Sequence, residues 1–136
     1  MEPFGPVITL SQLEAYIKGC LEKDLAGNGR TIGLASDNDN MVKFFTNFSG
    51  VDFDGFVEKN GKAVFDAQLD GVTDSIALGR EWYKKGLIYP DFYMVNKTDQ
   101  NNLFAAGMAA ALFSDAPVTT YYNLLVSFAD LNPDKD

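Results

Sequence analysis

A chain of 136 residues has room for one domain built on one core. Its net charge of −8 argues against nucleic acid and anionic lipid as partners, because both are recognised by clustered lysine and arginine. With no histidine and a single cysteine, it lacks the usual neutral-pH base and the Ser/His and Cys/His nucleophile pairs, and it cannot form an internal disulfide or a cysteine zinc site.

Pro3 and Pro6 predict an extended start, and residues 1–6 carry neither the basic stretch nor the apolar core of an export signal. A 3.6-residue period over Leu10, Leu13, Tyr16, Ile17, Cys20 and Leu21 predicts a first helix with Cys20 packed on its apolar face. Either Thr9 or Ser11 can cap it, and Thr9 would let Gln12 close a capping box. A glycine-rich loop follows over 24–30, then a short apolar strand at Thr31–Ala35. Asp37, Asn38, Asp39 and Asn40 all suit the start of a second helix through Phe44, Phe45 and Phe48, which Gly50 ends.

Asn60-Gly61 between two strand-like runs predicts a hairpin over Phe56–Phe65, since a type I′ turn needs positive φ at both central residues. The longest helix is expected from Gln68 to Lys85, with Leu69, Val72, Ile76 and Tyr83 down its inner side. Gly79 on that stripe can admit a close neighbour, Trp82 reads as core, and Lys84-Lys85 as cations complementing the helix end. Thr98 is expected to cap a fourth helix through Phe104, with Gly107 ending it and Ala109–Phe113 forming a buried strand. Pro117 and Thr119 then open a last helix, read with Tyr121, Leu124, Leu125, Phe128 and Leu131 facing inward. Residues 1–136 thus read as a single helix-rich α/β domain, with strands too few and short to complete a sheet alone. No apolar run is long enough to span a bilayer.

Three segments, in order, resemble the bacterial extracellular solute-binding protein family 1, whose members bind carbohydrates for ABC importers. Leu13–Ile17 through Glu22-Lys23-Asp24-Leu25-Ala26-Gly27-Asn28-Gly29-Arg30 is similar to the family's helix and following loop. Phe56–Phe65 and then Glu81-Trp82-Tyr83-Lys84-Lys85-Gly86-Leu87-Ile88-Tyr89-Pro90-Asp91-Phe92 resemble its hairpin, long helix and exit. Leu103-Phe104-Ala105-Ala106-Gly107-Met108-Ala109-Ala110-Ala111-Leu112-Phe113 resembles its helix-to-strand step. Two departures stand out: Met108 replaces a usual lysine, and Ser114-Asp115-Ala116 replaces a Gly- and Trp-rich stretch. The resemblance implies part of the C-terminal lobe of a type II periplasmic-binding-protein-like fold, excised from a two-lobed parent. It further implies a non-catalytic component that binds an oligosaccharide between lobes and delivers it to a membrane permease, with no cofactor. The parent would be extracellular or periplasmic, anchored as a lipoprotein, and the chain itself would not insert into a membrane.

Sugar sites pair aromatic faces with carboxylates and amides. Phe113, Ser114, Asp115, Tyr121 and Tyr122 follow a strand and open a helix, a place where α/β loops face a cleft. Asp37, Asn38 and Asn40 form a second group; for every one of these residues, turn or cap duty is the competing role. The Asp24–Arg30 loop invites comparison with a calcium loop, and Asp24, Asn28 and Gly29 fit it. Ala26, Ile32 and Ala35 leave the third, ninth and twelfth positions without side-chain oxygens, so no metal is expected. Asp52/Asp54 and Asp66/Asp70 could be imagined as glycosidase carboxylates, but flank the hairpin and read as solvated surface. The alternatives are therefore a protein-interaction domain on the same fold, or a small acid-dependent hydrolase.

Overall fold

The computed structural model describes residues 8–48, 50–51 and 55–134, so Pro3 and Pro6 lie outside the described residues. Thr9 starts α1 (Leu10–Lys23): its hydroxyl accepts the Gln12 amide at 3.2 Å, and Gln12 Oε1 accepts the Thr9 amide at 2.8 Å. That is the expected capping box. Ile17 and Cys20 are buried on the inner face.

Strands β1 (Ile32–Ala35) and β4 (Ala109–Leu112) pair in parallel, with Ile32 opposite Ala109 and Ala35 opposite Leu112. On its other side β1 meets the chain around Ile88, where Leu34 donates to the Leu87 carbonyl at 2.7 Å. Gly33 makes this possible, because a Cβ there would collide with the Leu87 carbonyl. β4 is paired on one side only among the described residues and is half-buried throughout, not the buried strand expected.

Helix α2 (Asn38–Asn47) packs on α3 (Val72–Lys84), while α1 and α4 (Lys97–Ala105) pack on the two parallel strands. The core joins Ile17, Leu34, Met41, Phe44, Phe45, Trp82, Leu87 and Ile88. Trp82 is its largest fully buried side chain, with the Phe44 and Phe45 rings 5.9 and 5.6 Å away. The Phe45 ring lies against Gly79, where an added Cβ would sit 3.1 Å from it.

α3 departs from expectation. A 3₁₀ turn at Asp66–Gln68 and the left-handed Gly71 (φ 92°) delay its start to Val72, leaving 13 residues against 14 in α1. Its inner side is Val72, Ser75, Gly79 and Trp82, whereas Ile76 and Tyr83 are exposed. At its end Lys85 pairs with Glu81 at 2.7 Å and with Glu14 of α1 at 3.2 Å. α4 is capped by Asn96 rather than Thr98, since Asn96 Oδ1 accepts the Thr98 and Asp99 amides at 2.8 and 3.0 Å.

The hairpin of β2 (Phe56–Lys59) and β3 (Lys62–Phe65) turns at Asn60 (φ 55°) and Gly61 (φ 74°) as expected, and projects mostly exposed side chains. α5 (Val118–Leu131) packs on α4 through Leu124 and Phe128, with the Phe104 and Phe128 rings 5.8 Å apart. Tyr121, Leu125 and Leu131, expected to face inward, are exposed, because the apolar face of α5 is broader than the side that meets α4, with Thr119, Asn123, Ser127 and Asp130 forming its polar face. No helix among the described residues is long and apolar enough to cross a membrane. The whole is a helix-rich α/β fold with few, short strands.

Candidate functional site

The parallel pairing of β1 and β4 carries two distant loops to one edge, because both strands end on the same side. As the chains leave the sheet, the Phe113 amide donates to the Ala35 carbonyl at 3.0 Å, and the Ser36 hydroxyl to the Phe113 carbonyl at 2.8 Å. Asp37 caps α2, accepting the Asn40 amide at 2.9 Å and Asn40 Nδ2 at 3.0 Å. The Asp37 amide donates to Gln100 Oε1 of α4 at 2.6 Å. Asn40 Nδ2 also reaches Asp115 Oδ1 at 3.3 Å, and Lys97 Nζ lies 2.6 Å from the same oxygen.

Asp37 and Asn40 are buried, so they form a fixed polar floor, with buried Gln100 holding the Asp37 amide from behind. Asn38, Asp39, Lys97 and Asp115 are exposed above it. Between them lies a depression of about 400 Å³, also bordered by Lys43. Lys97 holds the Asp115 carboxyl below the usual carboxylate range, with Asn40 adding to the effect, and Asp115 raises the Lys97 ammonium in return. Gln100 Nε2 is buried and has no hydrogen-bond partner. The depression thus mixes acceptors (Asp39, Asp115) with donors (Asn38, Lys43, Lys97), a set able to bind hydroxyl groups from several directions.

Both groups of sequence-predicted residues meet at this edge, but not all of them line the depression. Asp37, Asn38, Asn40 and Asp115 do. Phe113 instead packs edge-on against Phe44 at 5.2 Å and belongs with the core. Ser114 is buried, and its carbonyl accepts the Tyr121 hydroxyl, which ties α5 to the loop. Tyr122 stands 68% exposed and outside the lining. Lys43, Lys97 and Gln100 were not anticipated; Lys43 follows Asp39 and Asn40 by one turn of α2, a spacing that marks it, whereas Lys97 and Gln100 arrive only because α4 packs on the sheet in the fold.

The Asp24 loop is built differently. Asp24 (φ 45°) ends α1, and its carboxylate accepts the Gly29 amide at 2.7 Å, the Thr31 amide at 3.2 Å and the Thr31 hydroxyl at 2.7 Å. Those donors, Gly29 foremost, hold its pKa below the ordinary value. Asn28 and Gly29 contribute left-handed backbone (φ 59° and 68°) that aims the amides inward. Among the described residues, no three acidic or cysteine side chains gather into a metal-binding group.

Asp52 and Asp54 lie outside the described residues. Asp66, expected on the surface, is 3% exposed, and its Oδ2 accepts the Gly55 amide at 2.7 Å, fastening the hairpin base. Asp70 is exposed and pairs with Lys59 at 3.2 Å. A second cavity of about 320 Å³ lies between α2 and α3, walled by Met41, Phe45, Ile76, Phe92 and Tyr93, and is nearly free of polar groups. No family model, curated protein or solved structure matches this chain.

Proposed function

We propose that this chain is most of one lobe of a non-catalytic solute-binding protein serving an ABC importer, and that the depression at the carboxyl ends of β1 and β4 meets a carbohydrate. The observation that carries this reading is the convergence of Asp37 and Asn40 with Lys97 and with Asp115, the last 75 positions from Asn40, around an open polar concavity. Buried hydrogen bonds fix the floor, so the exposed groups are pre-oriented and a ligand need not order them. A mixture of donors and acceptors suits a neutral polyhydroxylated ligand better than an ion. Asp115 is held in its ionised form, which suits a hydrogen-bond acceptor and not a general acid.

In this reading the ligand lies between this lobe and a second one, and the closed pair is presented to a membrane permease. The parent protein acts outside the cytoplasmic membrane, held there by a lipid anchor. A single lobe offers about half of the contacts, and forfeiting about 4 kcal/mol turns a micromolar binder into one near the millimolar limit. The test is calorimetric titration of a panel of neutral oligosaccharides into this chain and into a longer parent. Feeble binding here and tight binding there is the expected result. Equal affinities, or turnover of a glycoside by either protein, contradict it.

A further inference from the structure

The inner side of α3 carries two small residues one turn apart, Ser75 and Gly79, where it faces α2. Side chains that small leave room between the two helices, and that room is the apolar cavity of about 320 Å³. Its floor belongs to the core, since Met41, Phe45 and Ile88 are buried. Its rim is open, with Ile76, Tyr83 and Tyr93 exposed. The aromatic wall braces itself: the Phe92 ring stands 6.1 Å from Tyr83 and 6.0 Å from Tyr93, both in T-shaped contact. A preformed apolar cavity of roughly 300 Å³ or more, with a few polar groups to orient its occupant, is the usual form of a small-molecule site.

The polar groups decide what fits. The Ser75 and Tyr83 hydroxyls already donate to the Gly71 and Pro90 carbonyls, at 2.9 and 3.3 Å. A sugar would give up water from its hydroxyls there and gain few partners, so the cavity disfavours what the polar depression accepts. Among the described residues lining it, Arg80 alone is charged. Three and four positions away along α3 stand Ile76, Ala77, Tyr83 and Lys84, none of them acidic. Arg80 makes no ion pair with any described residue, and Lys84 extends the same cationic row by one turn. A guanidinium offers paired N–H donors in the spacing of a carboxylate.

We infer that this cavity binds a small amphiphilic carboxylate, its apolar body against Phe45 and Phe92 and its carboxylate at the rim on Arg80. An apolar cavity of about 150 Å³ takes one benzene ring, so this one takes a body of about eight to ten carbons. The site is separate from the polar depression, with which it shares only Val42.

The test titrates octanoate, octanol and octylammonium, which share one body and differ in charge, into the ¹⁵N-labelled chain. Octanoate should give saturable shifts centred on Ile76, Gly79 and Tyr93, not on Asn38 or Asp115, with a dissociation constant of about 0.1–1 mM. Octanol should act on the same amides about fivefold more weakly, and octylammonium more weakly still. Arg80→Gln should lower octanoate to the affinity of octanol and leave octanol itself unchanged. Lys62→Gln removes an exposed cation on the hairpin and should change neither. Ile76→Trp, at a position 53% exposed, fills the cavity from its rim without entering the core and should abolish binding of all three. Three results overturn the inference: no saturable shift of those amides by octanoate up to about 10 mM, equal affinity for octanoate and octylammonium, or full octanoate affinity in Arg80→Gln.

Discussion

Two segments of this chain each set an aspartate at a helix end beside asparagine, yet they do opposite things with their polar groups. In the Asp24 loop, the carboxylate accepts hydrogen bonds from residues no more than seven positions away and closes on itself. In the Asp37 cluster, the bonds run to Gln100 and Asp115, 63 and 75 positions away, and leave exposed donors and acceptors around a depression. A carboxylate supplied with local donors serves as a structural cap, whereas polar groups gathered by the sheet and left facing solvent can meet a ligand. The distinction rests on where the hydrogen bonds go, and composition does not reveal it.

The largest effect is expected at Gly33. Gly33→Ala drives a Cβ into the Leu87 carbonyl and displaces β1, on which the distant cluster depends but the Asp24 loop does not. A destabilisation of about 3 kcal/mol or more is expected in urea unfolding. Gln100→Leu comes next. It leaves the buried Asp37 amide without its acceptor, at a cost of about 1–3 kcal/mol, and should shift the amide resonances of residues 37–40. Thr31→Val removes the hydroxyl that bridges Asp24 to the Ala26 amide. About 1–2 kcal/mol should be lost, with the resonances of residues 37–40 and 115 unmoved, because that loop is self-contained.

Acid sharpens the contrast less. Asp24 and Asp115 both titrate below their ordinary value near 3.8 in the folded chain. Each therefore contributes its stability in full above that pH, and loses it as pH falls through the lower folded value. Asp115→Asn should blunt this acid loss only slightly, since its ion pair with Lys97 is exposed and screened by salt. Thermal unfolding between about pH 2 and 6, with wild type and Asp115→Asn side by side, checks the direction.

Much of the fold was legible because its signals are local. Asn60-Gly61 needs only its own positive φ values to make a hairpin, and Thr9 with Gln12 completes a cap within four residues. Ambiguity began where two residues could do the same job: Asn96 and Thr98 both cap well, and the return bond from Asp99 favoured Asn96. An apolar pattern also says that a side is apolar, not that something covers it. Leu125 and Leu131 therefore read as inward and stand exposed. At the site, Asp115 and Asn40 were readable as candidates, but their meeting depends on the β1–β4 register. The packing of α4 on those strands brings in Lys97 and Gln100.

The central claim is that the cluster at the carboxyl ends of β1 and β4 meets a carbohydrate, and chemical-shift mapping tests it most directly. Neutral oligosaccharides are titrated into the uniformly ¹⁵N-labelled chain, up to concentrations of about 50 mM to reach a millimolar binder. The account predicts saturable shifts centred on Asn38, Asp39, Asn40, Lys97 and Asp115, weakened in Asp115→Asn, with Asp24–Thr31 silent. Shifts centred on the apolar cavity between α2 and α3, or no saturable shift with any sugar, would contradict it.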